Sequence, residues 1–302
     1  MAPIFDVIRA LALVVGFAVS LRDRKTAMFA DMVFTSWLGA GAILFPQFFM
    51  GQQVQSDKTM KDPDSILMYR MYGVYLLVPM LMWYSCRKSR DDSVVGALLW
   101  SRALGLLPLL MVSLYGHFST KKIFTDRNMW FFVLFIGCSW VSNVVQLVTT
   151  RPSVGRREQK GPVSTIFRLE FLVFFVVGLG VMAFPHMSLS LFIASPKIFQ
   201  IHLGRVTAAL MFSQIFLAWF APSFRDNEDR RRLFCMQLTM LFLAVGCIAC
   251  AFYSGTMSVV QLRIFLVSCA PFLLPAAGLY FISEGTQSSS TSKTYFTRSK
   301  AS

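Results

Sequence analysis

"GAGAILFP" at residues 39–46 and "GLGVMAFP" at residues 178–185 share one frame: Gly-x-Gly, three apolar residues, then Phe-Pro. The surroundings keep the same register. Asp31 stands as far before Pro46 as Glu170 stands before Pro185. Each Phe-Pro is followed by a loop and then by an arginine heading the next apolar block, Arg70 or Arg205. That block ends near a tryptophan, Trp83 or Trp219, and runs into a charged turn, "SRDDS" (89–93) or "FRDNE" (224–228). Agreement of several features in one order implies a unit written twice.

Each unit holds four apolar blocks. The blocks are residues 29–49, 68–86, 94–115 and 129–149 in the first copy, and 166–185, 203–221, 234–253 and 259–282 in the second. Their length matches the ~20 helical residues that cross a bilayer. Lipid offers no partner to backbone N–H and C=O groups, so blocks of this kind are helices. An earlier block, 3–21, is interrupted by Asp6 and Arg9 and reads as a further span or as a helix in the interface. The fold expected is therefore all-α: a polytopic transmembrane helical bundle of eight or nine spans, built from two parallel tandem four-helix repeats. An even number of helices per unit makes both copies enter from the same side. The corresponding segments are 1–25 (N-terminal helix), 26–150 (first repeat), 151–163 (linker), 164–283 (second repeat) and 284–302, a Ser/Thr-rich tail read as disordered.

Composition agrees. Of 302 residues, 55% are hydrophobic and only 15% charged, against about a quarter charged in soluble domains. The mean hydropathy is +0.58. The formal charge of +14 would suit nucleic acid if it were clustered on one surface. Instead Arg22, Arg24 and Lys25, then Arg87, Lys88 and Arg90, then Arg151, Arg156, Arg157 and Lys160, then Arg225, Arg230, Arg231 and Arg232 fill alternate loops. This pattern places those loops, and the C-terminus, in the cytoplasm. The expected surroundings are a lipid bilayer and a partner membrane protein or a second copy, with no nucleic acid. The charge pattern leaves the choice between plasma membrane and endomembrane open.

The four-helix unit resembles the p53-inducible protein 11 group of small four-span membrane proteins. The resemblance rests on "GLGVMAFP", "HLGR" (202–205) and Trp219, and covers one repeat at a time. It implies an accessory or regulatory membrane role and transfers no site residues.

The paired glycines Gly39 and Gly41, and Gly178 and Gly180, read as a helix-packing motif, because small residues let backbones approach in lipid. Pro46 and Pro185 read as helix stops. Pro79 and Pro108 read as interruptions of their spans. Among ionisable residues, Arg102 lies deepest, and Asp31 and Glu170 approach from the same side, so the three form a candidate intramembrane polar cluster. Arg102 is expected to pair with Asp31 or Glu170; the repeat sets Gln237 at its counterpart. Arg70 and Arg205 lie near the exoplasmic ends. His117, His186 and His202 read as surface residues of that leaflet. No HExxH, GxSxG or Walker-type loop occurs, and the residues call for no cofactor and no metal. The function expected is a non-enzymatic accessory or scaffold protein, with a transporter or channel along the inter-repeat interface as the alternative.

Overall fold

The computed structural model describes residues 2–54, 57–86, 89, 91–119, 125–152, 154, 160–193, 195–255, 257, 262 and 273–282. The described residues are helical almost throughout: α1 (Ala2–Ser20), α2 (Arg24–Leu44), α3 (Pro46–Gln53), α4 (Asp57–Met60), α5 (Pro63–Leu76), α6 (Val78–Cys86), α7 (Asp92–Ser119), α8 (Asp126–Thr150), α9 (Pro162–Ala183), α10 (Pro185–Ser190), α11 (Ile198–Phe220) and α12 (Asn227–Tyr253). A last apolar helix, α13, covers Leu273–Ile282. Among the described residues, seven helices are long and apolar enough to cross a membrane: α2, α5 with α6, α7, α8, α9, α11 and α12. These match the expected blocks from 29–49 to 234–253. The expected span 259–282 lies mostly outside the described residues, as do the 284–302 tail and much of the 151–163 linker. The 3–21 block is helix α1, which packs on α2 and α8.

Local chemistry sets the helix ends. Asp23 caps α2 by accepting from the Lys25 and Thr26 N–H groups at 2.9 and 3.0 Å. Asp226 caps α12 through the Glu228 N–H at 2.9 Å, and Asp91 takes the Ser93 N–H at 3.0 Å at the start of α7. The two Phe-Pro turns are nearly superposable in backbone angle. Phe45 has φ −127° and ψ 55°, and Phe184 has φ −123° and ψ 57°. Their N–H groups donate to the Gly41 and Gly180 carbonyls, each at 2.8 Å. Pro46 and Pro185 then occupy the first position of α3 and α10, where a missing N–H costs nothing. Each proline therefore stops one helix and starts another.

The other prolines divide. The second span breaks at Leu77, between α5 and α6, just ahead of Pro79, which has no N–H to continue the ladder. At Pro108 the expected interruption does not occur, and α7 runs through it from Asp92 to Ser119.

Packing follows an exchange between the two halves. Within each half the first long helix lies on the second, α2 on α5 and α6, and α9 on α11. The third helix of each half instead packs on the second helix of the other: α7 on α11, and α12 on α5 and α6. One apolar core joins Val94, Leu98, Phe167, Leu217, Phe224 and Phe234, with the Phe167 and Phe234 rings stacked 4.2 Å apart. A second joins Met50, Tyr69, Leu106, Ile136, Phe199 and Leu210.

The glycines explain the closest crossings. A Cβ at Gly39 would lie 2.8 Å from the Gly73 carbonyl oxygen, and one at Gly73 the same distance from that of Gly39, so α2 and α5 touch backbone to backbone. Backbone also meets backbone between the halves at Gly105 of α7, where a Cβ would sit 2.5 Å from the Ser213 N and 2.7 Å from its Cα on α11. Gly41 does not serve a helix crossing; a side chain there would overlap the Phe49 ring, which folds back from α3. Gly178 meets only the Phe212 and Ile215 side chains, at 3.3 Å or more, and Gly180 faces open space. Gly39 thus lies at a backbone crossing, whereas Gly180 lies on the face that α9 presents outward along with Leu172, Val176, Val177 and Leu179.

A candidate intramembrane polar site

Arg102 and Asp31 form a buried ion pair. The Arg102 Nε donates to Asp31 Oδ2 at 2.6 Å and its Nη2 to Asp31 Oδ1 at 2.9 Å. This two-pronged geometry is the strong form of an arginine–carboxylate contact. The residues are 5% and 6% exposed. The remaining Arg102 nitrogen, Nη1, donates to Ser213 Oγ on α11 at 3.2 Å, and Ser139 Oγ on α8 donates to Asp31 Oδ1 at 2.8 Å. Four helices are tied at one point: α2, α7, α8 and α11. A buried charge is tolerated only when paired and hydrogen-bonded, and here both charges are.

Glu170 does not join this group. Its Oε1 instead accepts from the Gln237 Nε2 of α12. Both residues are 3% exposed. Glu170 Oε2 and Gln237 Oε1 are buried with no hydrogen-bond partner among the described residues. The expected single cluster of Asp31, Arg102 and Glu170 is therefore two separate pairs: Asp31 with Arg102 (α2 to α7) and Glu170 with Gln237 (α9 to α12). Helix rotation is the cause, since Glu170 faces α11 and α12, while Arg168, two residues earlier, is exposed.

Arg70 and Arg205 each turn toward the third helix of the other half. The Arg205 guanidinium carbon lies 5.0 Å from the Tyr115 ring centroid on α7, a cation–π contact. Arg70 lies within electrostatic reach of Cys247 on α12, and its buried Nε has no hydrogen-bond partner among the described residues. The histidine expectation is corrected for two of three. His117 and His202 are only 8% and 7% exposed. His117 packs on Trp130, and the His202 ring occupies the space that a side chain at Gly116 would need. His186 is exposed. Among the described residues no group of three or more His, Cys, Asp or Glu has metal-binding geometry.

Polar contacts also lock the halves at both ends. At the end carrying the basic turns, the Arg225 N–H donates to Asp91 Oδ2 at 2.9 Å and Ser89 Oγ to Asp229 Oδ2 at 2.6 Å. At the opposite end, Asp62 accepts from Lys197 Nζ at 2.6 Å and from Gln200 Nε2 at 2.8 Å. Burial pushes the Asp62 carboxyl up, but the Lys197 and Ser65 hydrogen bonds and the Lys197 charge outweigh it and hold the group below the ordinary value. Asp91 behaves alike: burial raises it, and the hydrogen bonds from Arg225 and Ser93 bring it below.

Sequence reasoning did not single out Ser139, Ser213, Gly105 or Asp62. Serines in apolar helices carry no periodic signal, and Gly105 is a lone glycine with no partner in the chain's repeated phrase.

The family model described as "Domain of unknown function (DUF8292)" matches residues 29–281. No match was found among curated proteins or among solved structures.

Proposed function

The chain belongs to the DUF8292 family, and from that premise we propose that it is an integral membrane protein that acts by packing against partner membrane proteins, without catalysis or transport. The observation that carries this reading is the seam between the halves. A solute path along it would need separation of α7 and α11, yet Gly105 brings these backbones together at Ser213. The nearby charge is neutralised within the protein by the Asp31–Arg102 pair. A conducting interface uses polar groups that line water; Asp31 and Arg102 are spent on one another.

Two parallel four-helix repeats are the architecture we infer. Support comes from the matched angles at Phe45 and Phe184, from the matched caps at Asp91 and Asp226, and from the Asp31–Arg102 and Glu170–Gln237 pairs at corresponding positions. The reciprocal packing of α7 on α11 and α12 on α5 and α6 fits a pseudo-two-fold axis along the membrane normal. The basic turns lie on the cytoplasmic side in this reading, by the positive-inside rule. The likeness of each half to the p53-inducible protein 11 group agrees with an accessory role.

Outward-facing Trp37, Phe45 and Phe48, and the α9 face, offer large apolar side chains to lipid or to a neighbouring span. The test is reconstitution. Purified protein in liposomes should leave ion and small-solute permeability at the level of empty vesicles. Solute movement by the isolated chain would replace this reading with a transporter using the inter-repeat interface.

A further inference from the structure

The two intramembrane pairs occupy corresponding places but are completed differently. In the first half, Asp31 receives a full positive charge from Arg102, and both Asp31 oxygens and all three Arg102 nitrogens have partners. In the second half, the residue corresponding to Arg102 is Gln237. It offers one N–H to Glu170 Oε1 and brings no charge. Two oxygens are left over, Glu170 Oε2 and Gln237 Oε1, both buried and both acceptors. Two acceptors cannot satisfy each other, and a buried carboxylate without a counter-charge costs several kcal/mol. Glu170 also lines a narrow pocket with Phe174, Met211, Gln214, Ile215 and Ala218. Gln214 is held there by a contact from its Nε2 to Met240 Sδ at 2.6 Å. None of the α11 residues lining the pocket is charged, and Glu170 is the one titratable group among its described lining residues.

We propose that Glu170 Oε2 holds a bound proton, shared with Gln237 Oε1, in the place that the Arg102 guanidinium fills beside Asp31. A proton taken from water sits on Glu170 Oε2 and is donated to Gln237 Oε1, closing an acid–amide pair with two hydrogen bonds. This site goes beyond the partner-packing reading and does not depend on it.

The full chain is purified into nanodiscs, and its thermal midpoint is compared in sodium, potassium and choline chloride at equal ionic strength. Infrared difference spectra report the carbonyl band of a protonated carboxylic acid at neutral pH. A midpoint raised by sodium or potassium over choline, with the rise lost in Glu170→Gln, would overturn the proposal in favour of a metal ion. Equal midpoints in all three salts, with an acid carbonyl band lost in Glu170→Gln, identify the proton. Gln237→Arg rebuilds the arrangement of the first half and should abolish the acid band while the protein stays folded. It carries the test if Glu170→Gln does not fold. Equal midpoints with no acid band, or an acid band that survives Gln237→Arg, overturns the proposal.

Discussion

Arg102→Met removes one partner of the buried pair and leaves the other in place. The variant keeps a straight apolar stem of similar reach but loses the two hydrogen bonds to Asp31, at 2.6 and 2.9 Å, and the one to Ser213 at 3.2 Å. Asp31, 6% exposed, then keeps only Ser139 as a side-chain donor. Breaking a buried pair this way costs about 3–5 kcal/mol, because an uncompensated charge stays behind. An ordinary hydrogen bond between membrane helices contributes only about 0.6 kcal/mol. The three bonds lost would by themselves cost about 2 kcal/mol, so the two origins differ about twofold. Replacing both partners, Asp31→Leu with Arg102→Met, removes the stranded charge, and the double variant should recover at least about 2 kcal/mol of the loss. Reversible unfolding in mixed detergent micelles measures all four corners of the cycle. A single-variant cost of about 2 kcal/mol or less, or strict additivity across the cycle, would refute the claim that the charge pair organises the junction of α2, α7, α8 and α11.

Gly105→Leu should drive α7 and α11 apart and cost on the order of 1–3 kcal/mol, read as a lower thermal midpoint in detergent, because the obstacle at Ser213 is backbone. Gly180→Ala should do the opposite, raising stability by up to about 1 kcal/mol in the same assay, since its Cβ meets open space and alanine favours helix. The Asp62 latch should respond to acid. Its carboxyl sits below the ordinary value of 3.8 in the folded state, so its contribution is complete above that pH and is lost as pH falls through the lower folded value. Asp62→Asn should flatten this part of a stability–pH profile below pH ~4 and leave the neutral-pH slope unchanged.

Much of the bundle was legible because hydropathy reports what lipid demands of a backbone. The seven long helices fall on the apolar blocks, and Phe-Pro marks helix ends at both 45–46 and 184–185. Depth was legible too: Asp31 and Arg102 were read at compatible heights and do pair. Rotation was not. α7 is about two-thirds buried, so it shows no amphipathic stripe to say that Gly105 faces α11 or that Arg102 turns toward Asp31. The same gap put Glu170 in the wrong group and His202 on the surface, although the repeat frame had already aligned Gln237 with Arg102. Proline also misled in part. Pro79 coincides with a break at Leu77, while α7 continues through Pro108. Which outcome follows depends on neighbouring helices that hydropathy does not describe.

The central claim is that this chain works as a packed partner of other membrane proteins. Native mass spectrometry after direct extraction of the chain from its own membrane into lipid nanodiscs tests it most directly. A stoichiometric complex with a second integral membrane protein is expected, preserved in Gly180→Ala and weakened in Gly105→Leu. A chain recovered only as a free monomer would contradict it.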